Sequence, residues 1–126
     1  MNAFQEILDI SRHLRKECPF DKEQTLDSVR NEIVSEANEV VEAINEKDMQ
    51  NLKEEIGDVI WDAVFLAVLA EEAGHFTIED SLKAVRDKMI RRHPHIFGDA
   101  IAETPEEVRA LWKKIKEQEK TASSAR

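Results

Sequence analysis

The 126-residue chain carries 18 Lys+Arg against 27 Asp+Glu, a formal net charge of −9, with 41% hydrophobic and 36% charged residues. This size suits one domain, and the mixture is too apolar for a disordered chain and too polar for a membrane protein. Three Gly and three Pro argue against an all-β sandwich, the acidic balance against a nucleic-acid partner, and the lone Cys18 against an intrachain disulfide. Helical periodicity predicts an all-α bundle of about five helices. The first spans Ala3 to Glu17 and stops before Pro19, whose preceding residue is forced out of the helical region. The second runs from Thr25 to about Asn45, with Leu26, Val29, Ile33, Ala37, Val40 and Ile44 at helical spacing. Asp48 caps the third, which continues to about Ala73 and ends at Gly74. A fourth opens at Thr77 and closes near Arg92 ahead of Pro94. Thr104-Pro105-Glu106-Glu107 opens a fifth, reaching about Lys120. Residues 1–120 thus read as a single domain and residues 121–126 as a disordered tail.

The third helix is apolar nearly all round from Ile56 to Ala70, which predicts a central helix covered on most sides. A small domain has few helices to cover it, so a homo-oligomer, dimer or tetramer, is expected. The same stretch holds two Asp and would span only about 22 Å, too short and too charged to cross a bilayer. No membrane partner is expected, and a reducing, cytoplasmic setting follows from the cysteine usage and from an N-terminus without signal-peptide layout.

Two acidic arcs interrupt these apolar helices. At about 100° per residue, Glu55, Asp58 and Asp62 fall within roughly 60° on the third helix, and Glu32, Glu36 and Glu39 do so on the second. Ionised carboxylates beside a core require neutralisation. An antiparallel hairpin through Asn45-Glu46-Lys47-Asp48 would set the arcs face to face. Salt bridges are the ordinary answer. Two i,i+3 pairs on neighbouring helices, Glu36/Glu39 and Glu55/Asp58, point further, to a hard divalent ion, Mg²⁺ or Mn²⁺.

The stretch Lys83–His95 concentrates five Lys/Arg with one Asp in an otherwise acidic chain. Cations there suit a helix C-terminus, and they equally suit phosphate oxygens. Carboxylates for a metal together with a basic helix end are the composition needed to bind and polarise a polyphosphate. Other chemistries fit poorly. Glu72-x-x-His75 is half of a di-iron motif without its second copy, His93-x-His95 with Cys18 lacks zinc spacing, and no Gly-rich phosphate loop is present.

CPFDKEQT (18–25), SEANE (35–39), EIGD (55–58), KMIRRHPHIFGD (88–99) and ALWKKIKEQEK (110–120) occur in one order and spacing along nearly the whole chain. In these segments the sequence resembles MazG, the all-α family of nucleoside triphosphate pyrophosphohydrolases. The resemblance implies hydrolysis of NTP or dNTP to the monophosphate and pyrophosphate, as nucleotide-pool house-cleaning. It maps the family's EExxE and ExxD acids onto Glu36, Glu39, Glu55 and Asp58 as Mg²⁺ ligands. It also implies that Lys88, Arg91 and Arg92 meet the triphosphate, that Lys53 contacts nucleotide, and that Trp112 lies near base or sugar. The first acid of EExxE is Ser35 here, and Asp62 stands where many family members carry an amide.

The expected catalytic set is therefore Glu36, Glu39, Glu55 and Asp58, with Glu32 or Asp62 orienting the attacking water. Two alternatives stay open. One is a narrower all-α pyrophosphohydrolase acting on dUTP, dCTP or phosphoribosyl-ATP. The other is a catalytically silent, nucleotide-binding helical oligomer in which Ser35 marks lost chemistry.

Overall fold

The computed structural model describes residues 2–124, and among these residues every regular element is helical. The helices are α1 (Ala3–Glu17), α2 (Leu26–Val29), α3 (Glu32–Asn45), α4 (Met49–Glu72), α5 (Ile78–Arg91), α6 (Pro94–Phe97) and α7 (Pro105–Ser124). They group into two compact units, residues 1–79 and residues 80–126.

In the first unit, α1 starts where Asn2 accepts from the Gln5 amide, and it ends at Cys18, already extended ahead of Pro19. The predicted second helix is two helices. Thr25 and Ser28 form a reciprocal capping box that opens α2, the chain loosens at Arg30–Asn31, and α3 begins at Glu32. The hairpin between α3 and α4 is closed by a Schellman motif, with Asp48 N–H donating to Ala43 O at 3.0 Å and Lys47 N–H to Ile44 O at 3.1 Å. Lys47 takes the left-handed conformation there, φ 57°. Gly74 (φ 81°) ends α4 through the same motif, His75 N–H donating to Ala70 O and Gly74 N–H to Glu71 O, both at 3.0 Å. Because a side chain resists this conformation, Lys47→Gly is expected to raise stability by about 0.5–1 kcal/mol in a urea melt.

Leu8 of α1 with Val64 and Val68 of α4 forms the core of this unit, and Ile7 and Ile78 pack against it. Arg12 pairs with Glu71 at 3.0 Å, and Arg15 holds Glu72 through Nη2 at 2.8 Å and Nε at 2.9 Å. Arg15 also donates to the carbonyls of Asp21 and Gln24, which fixes the segment between α1 and α2.

The expectation of a helix covered on most sides holds for only half of α4. Val64, Phe65 and Ala67–Ala70 are buried, whereas Ile56 and Ile60 keep 46% and 44% of their surface exposed. The helices packed most extensively on α4 are α3, α1 and α2, and they leave Ile56 and Ile60 of its first half exposed.

In the second unit, α5 ends near the expected residue. The four-residue α6, which begins at Pro94, was not predicted, being shorter than the window periodicity needs. Thr104 Oγ1 accepts from the Glu107 amide at 3.1 Å, and Glu107 returns a bond to the Glu103 amide at 2.9 Å, one residue upstream of the expected partner. α7 then runs to Ser124, past the expected end at Lys120, so the tail predicted over 121–126 is helical as far as Ser124 and otherwise lies outside the described residues.

Candidate functional site

The α3–α4 hairpin brings Glu36 and Glu39 together with Glu55. One carboxylate oxygen from each lies within 4.8 Å of the other two. The i,i+3 spacing puts the α3 pair on one face, and the Schellman turn sets the register that delivers Glu55 opposite. Glu36 Oε2 and Glu55 Oε2 are buried without hydrogen-bond partners. Two buried, unpartnered carboxylate oxygens beside a third, exposed carboxylate are a poor arrangement in isolation and a suitable donor set for a hard divalent cation.

The charges register this crowding. Hydrogen bonding with Glu39, burial, and the neighbouring Glu36 and Asp58 push Glu55 up to about 7. Burial raises Glu36, with Glu39 and Asp58 adding to it. Asp58 is exposed and stands outside the trio, although its charge is felt by Glu36, Glu55 and Asp62. Lys53, one turn before, is exposed.

Glu32 and Asp62 occupy a neighbouring place. Both line a cavity of about 230 Å³ whose walls include Phe20, Trp61 and Phe65. Asp62 Oδ2 is buried and unpartnered, and burial together with Glu32 and Asp58 raises its pKa. Cavity and trio therefore form one continuous acidic stretch of the first unit. The aromatic wall was missed in the sequence because Phe20 comes from a segment far from Trp61 and Phe65 of α4.

In the second unit, Arg91 Nε donates to Glu119 Oε2 at 2.5 Å and Arg92 Nη2 to Glu119 Oε1 at 2.9 Å. These two guanidiniums hold Glu119 down at about 2. Glu119 was not singled out in the sequence, where it is one acid among several on a charged helix. Trp112 meets His93 edge-on at 5.5 Å, and Arg92 Nε, His95 Nδ1 and Trp112 Nε1 are buried without partners. Lys88 is half-buried on α5.

For the metal-free protein these shifts fix the sign of a pH dependence. A raised carboxylate binds more protons folded than unfolded, so the contribution of Glu55 is full below the ordinary value of 4.5 and is lost as pH climbs through about 7, with Glu36 and Asp62 acting in the same direction. Glu119 acts oppositely, supporting the fold above the ordinary value and failing as pH falls toward about 2, and Glu72, lowered by Arg15, acts in the same direction as Glu119. In EDTA the melting temperature is expected to fall from about pH 5 to about pH 8. A flat profile would contradict the crowding.

An acidic trio on a helical hairpin, on a chain with a basic helix end, defines a class, and sequence comparison agrees. The chain belongs to the MazG nucleotide pyrophosphohydrolase domain family, whose model matches residues 24–97. It is 41% identical over 123 residues to a nucleoside triphosphate pyrophosphohydrolase of Escherichia coli, covering 95% of this chain and 47% of that protein. It is 43% identical over 119 residues to a Thermotoga maritima protein named nucleoside triphosphate pyrophosphohydrolase/pyrophosphatase MazG, covering 93% of this chain and 45% of that one. The chain thus spans about half the length of these relatives. The crystal structure of a MazG-related protein from Thermotoga maritima superposes with a TM-score of 0.78 at 31% identity, covering 90% of this chain and 98% of that one.

Proposed function

We propose that the protein is a divalent-metal-dependent nucleoside triphosphate pyrophosphohydrolase, converting NTP or dNTP and water to the monophosphate and pyrophosphate. The observation that carries this reading is the Glu36–Glu39–Glu55 trio with its buried, unpartnered oxygens in a member of this family. Glu36, Glu39 and Glu55, with Asp58 beside them, would hold Mg²⁺, or Mn²⁺ in its place. Such an ion, when bound, offsets the charge of phosphate oxygens and makes the phosphorus more electrophilic.

The chain's own residues supply the rest. Glu32 and Asp62 are the two carboxylates available to orient the attacking water and accept its proton. Lys88, Arg91 and Arg92 contribute cations for the charge on the departing pyrophosphate, and Lys53 adds a further contact to the nucleotide. Trp112 contributes an indole toward base or sugar. Turnover of aberrant nucleotides in a cytoplasmic pool is the role that fits.

A homo-oligomer, dimer or tetramer, belongs to the same proposal. Val34, Val41 and Ile44 of α3 and Ile56 and Ile60 of α4 are between 44% and 57% exposed, an apolar surface that a second copy would cover. The net charge of −9 goes against a nucleic-acid partner. Among the described residues no helix is long and apolar enough to cross a membrane.

The test incubates purified protein with each canonical and deaminated NTP and dNTP, with and without Mg²⁺, resolving pyrophosphate from phosphate. Metal-dependent monophosphate plus pyrophosphate is the expected result. Nucleotide binding without product would replace it with the silent binding module that Ser35 suggests.

A further inference from the structure

The cavity beside the acidic trio has a composition of its own. Phe20 stands at it with 71% of its surface exposed, an unusual state for an aromatic ring in a segment clamped by Arg15. Trp61 is half-buried, Phe65 is 6% exposed, and the two rings are tilted at 6.4 Å. At about 230 Å³ the cavity falls below the roughly 300–1,000 Å³ of pockets that enclose a whole drug-sized ligand, so it suits one flat portion of a larger molecule.

The polar part of the wall is one-sided. Its ionisable groups are Asp21, Glu32 and Asp62, and no lysine or arginine lines it. Gln24 spends one amide N–H on Phe20 O and one lone pair of Oε1 on Ser28 Oγ. Ionised carboxylates only accept hydrogen bonds, so the matching ligand edge must donate. Among the bases, guanine alone presents a ring N–H and an amino group side by side, a bidentate match for one carboxylate. Uracil and thymine set their N3–H between two carbonyl oxygens, which a carboxylate repels, and hypoxanthine has its N1–H beside a C–H where guanine carries the amino group. Adenine and cytosine set their amino group beside an acceptor.

We propose that this cavity holds the nucleobase and that Asp62 selects guanine, accepting from N1–H and the 2-amino group while Phe20 and Trp61 contact the ring faces. This rests on the nucleotide reading above; it takes Asp62 out of the water-orienting role, leaves that role to Glu32, and leaves the sugar and not the base to Trp112. Base stacking gives affinity without choice, and the carboxylate supplies the choice.

The experiment compares GMP and IMP, which differ only in the 2-amino group and are not consumed. Equilibrium binding in Mg²⁺ and turnover of GTP and ITP are measured for the wild type, Asp62→Asn and Phe20→Ala. The wild type is expected to bind GMP about tenfold or more tightly than IMP, the scale of one hydrogen bond to a charged group. Asp62→Asn should bring the ratio to near one. Phe20→Ala, at an exposed position that does not threaten folding, should weaken both ligands while keeping the ratio. Equal binding by the wild type, no binding of either ligand, or a ratio that survives Asp62→Asn overturns the assignment. A uniform loss of kcat in Asp62→Asn with the GMP preference intact returns Asp62 to the water and also overturns it. Selective binding with no pyrophosphate from GTP or ITP keeps the base site and removes the hydrolase reading. Pyrophosphate formed equally well from both does the reverse.

Discussion

Glu39→Gln is expected to lower pyrophosphate release from NTP by about a thousandfold or more, the loss of several kcal/mol of charge stabilisation, while leaving the helical content unchanged. Glu39 is the first cause of the raised Glu55, and with Glu36 it completes the trio. Removing its charge would take away a metal ligand and relieve Glu55 at once. The two effects have opposite signs in melting experiments. In EDTA at about pH 8 the variant should melt above the wild type, because one repulsion is gone. In Mg²⁺ it should gain less than the wild type, because ligand-linked stabilisation scales with affinity. Asp58→Asn, just outside the trio, is expected to end turnover as well with a smaller change in metal-free melting. Unchanged turnover in both variants would remove the metal assignment, and a lower melting point in EDTA would mark Glu39 as structural.

Leu8→Ala should cost about 2–5 kcal/mol, the range for large-to-small substitutions in a packed core. Leu8 is 5% exposed and joins Val64 and Val68, which are 1% and 2% exposed. For a unit of this size each kcal/mol is worth roughly 4–8 °C, so a drop of more than about 10 °C is expected in a thermal melt. The lesion lies between α1 and the second half of α4, away from the acids of the first half. Well below its new melting point the variant should therefore keep its metal response. Loss of that response in a folded sample would show that α1 braces the site directly.

The parts of the fold that were legible in the sequence are those with local chemical markers. Pro19 stops α1, Asp48 opens α4 and Gly74 closes it, each through its own cap or backbone conformation. The break at Arg30–Asn31 is marked only by Asn31, the N-cap of α3, whose side chain makes no capping bond. Neither glycine nor proline stands there, and the apolar spacing from Leu26 through Val29 to Ile33 passes over it. The exposed first half of α4 shows a different limit, since periodicity reports which faces are apolar and not what covers them.

The site divides the same way. Glu36, Glu39 and Glu55 were readable because helical phase alone puts the pairs on single faces, and a tight turn sets the two helices together. That Asp58 falls outside the trio depends on side-chain reach, which spacing does not encode. Glu119 illustrates the same point, because its grip on Arg91 and Arg92 closes a loop of more than 25 residues. Glu32 and Asp62 were legible as acids on the right arcs. Their placement in an aromatic cavity depended on Phe20, which a separate arginine clamp holds in position.

The Glu36–Glu39–Glu55 trio also bears on how long the protein survives in a cell. Without a cation the hairpin is held against its own repulsion, and a hairpin under such load opens more often, exposing peptide bonds to proteases. A cation held by the trio as proposed would close that route by mass action. The lifetime of each molecule would then follow the supply of divalent ions, so that an ion-starved cell clears the copies it cannot put to use.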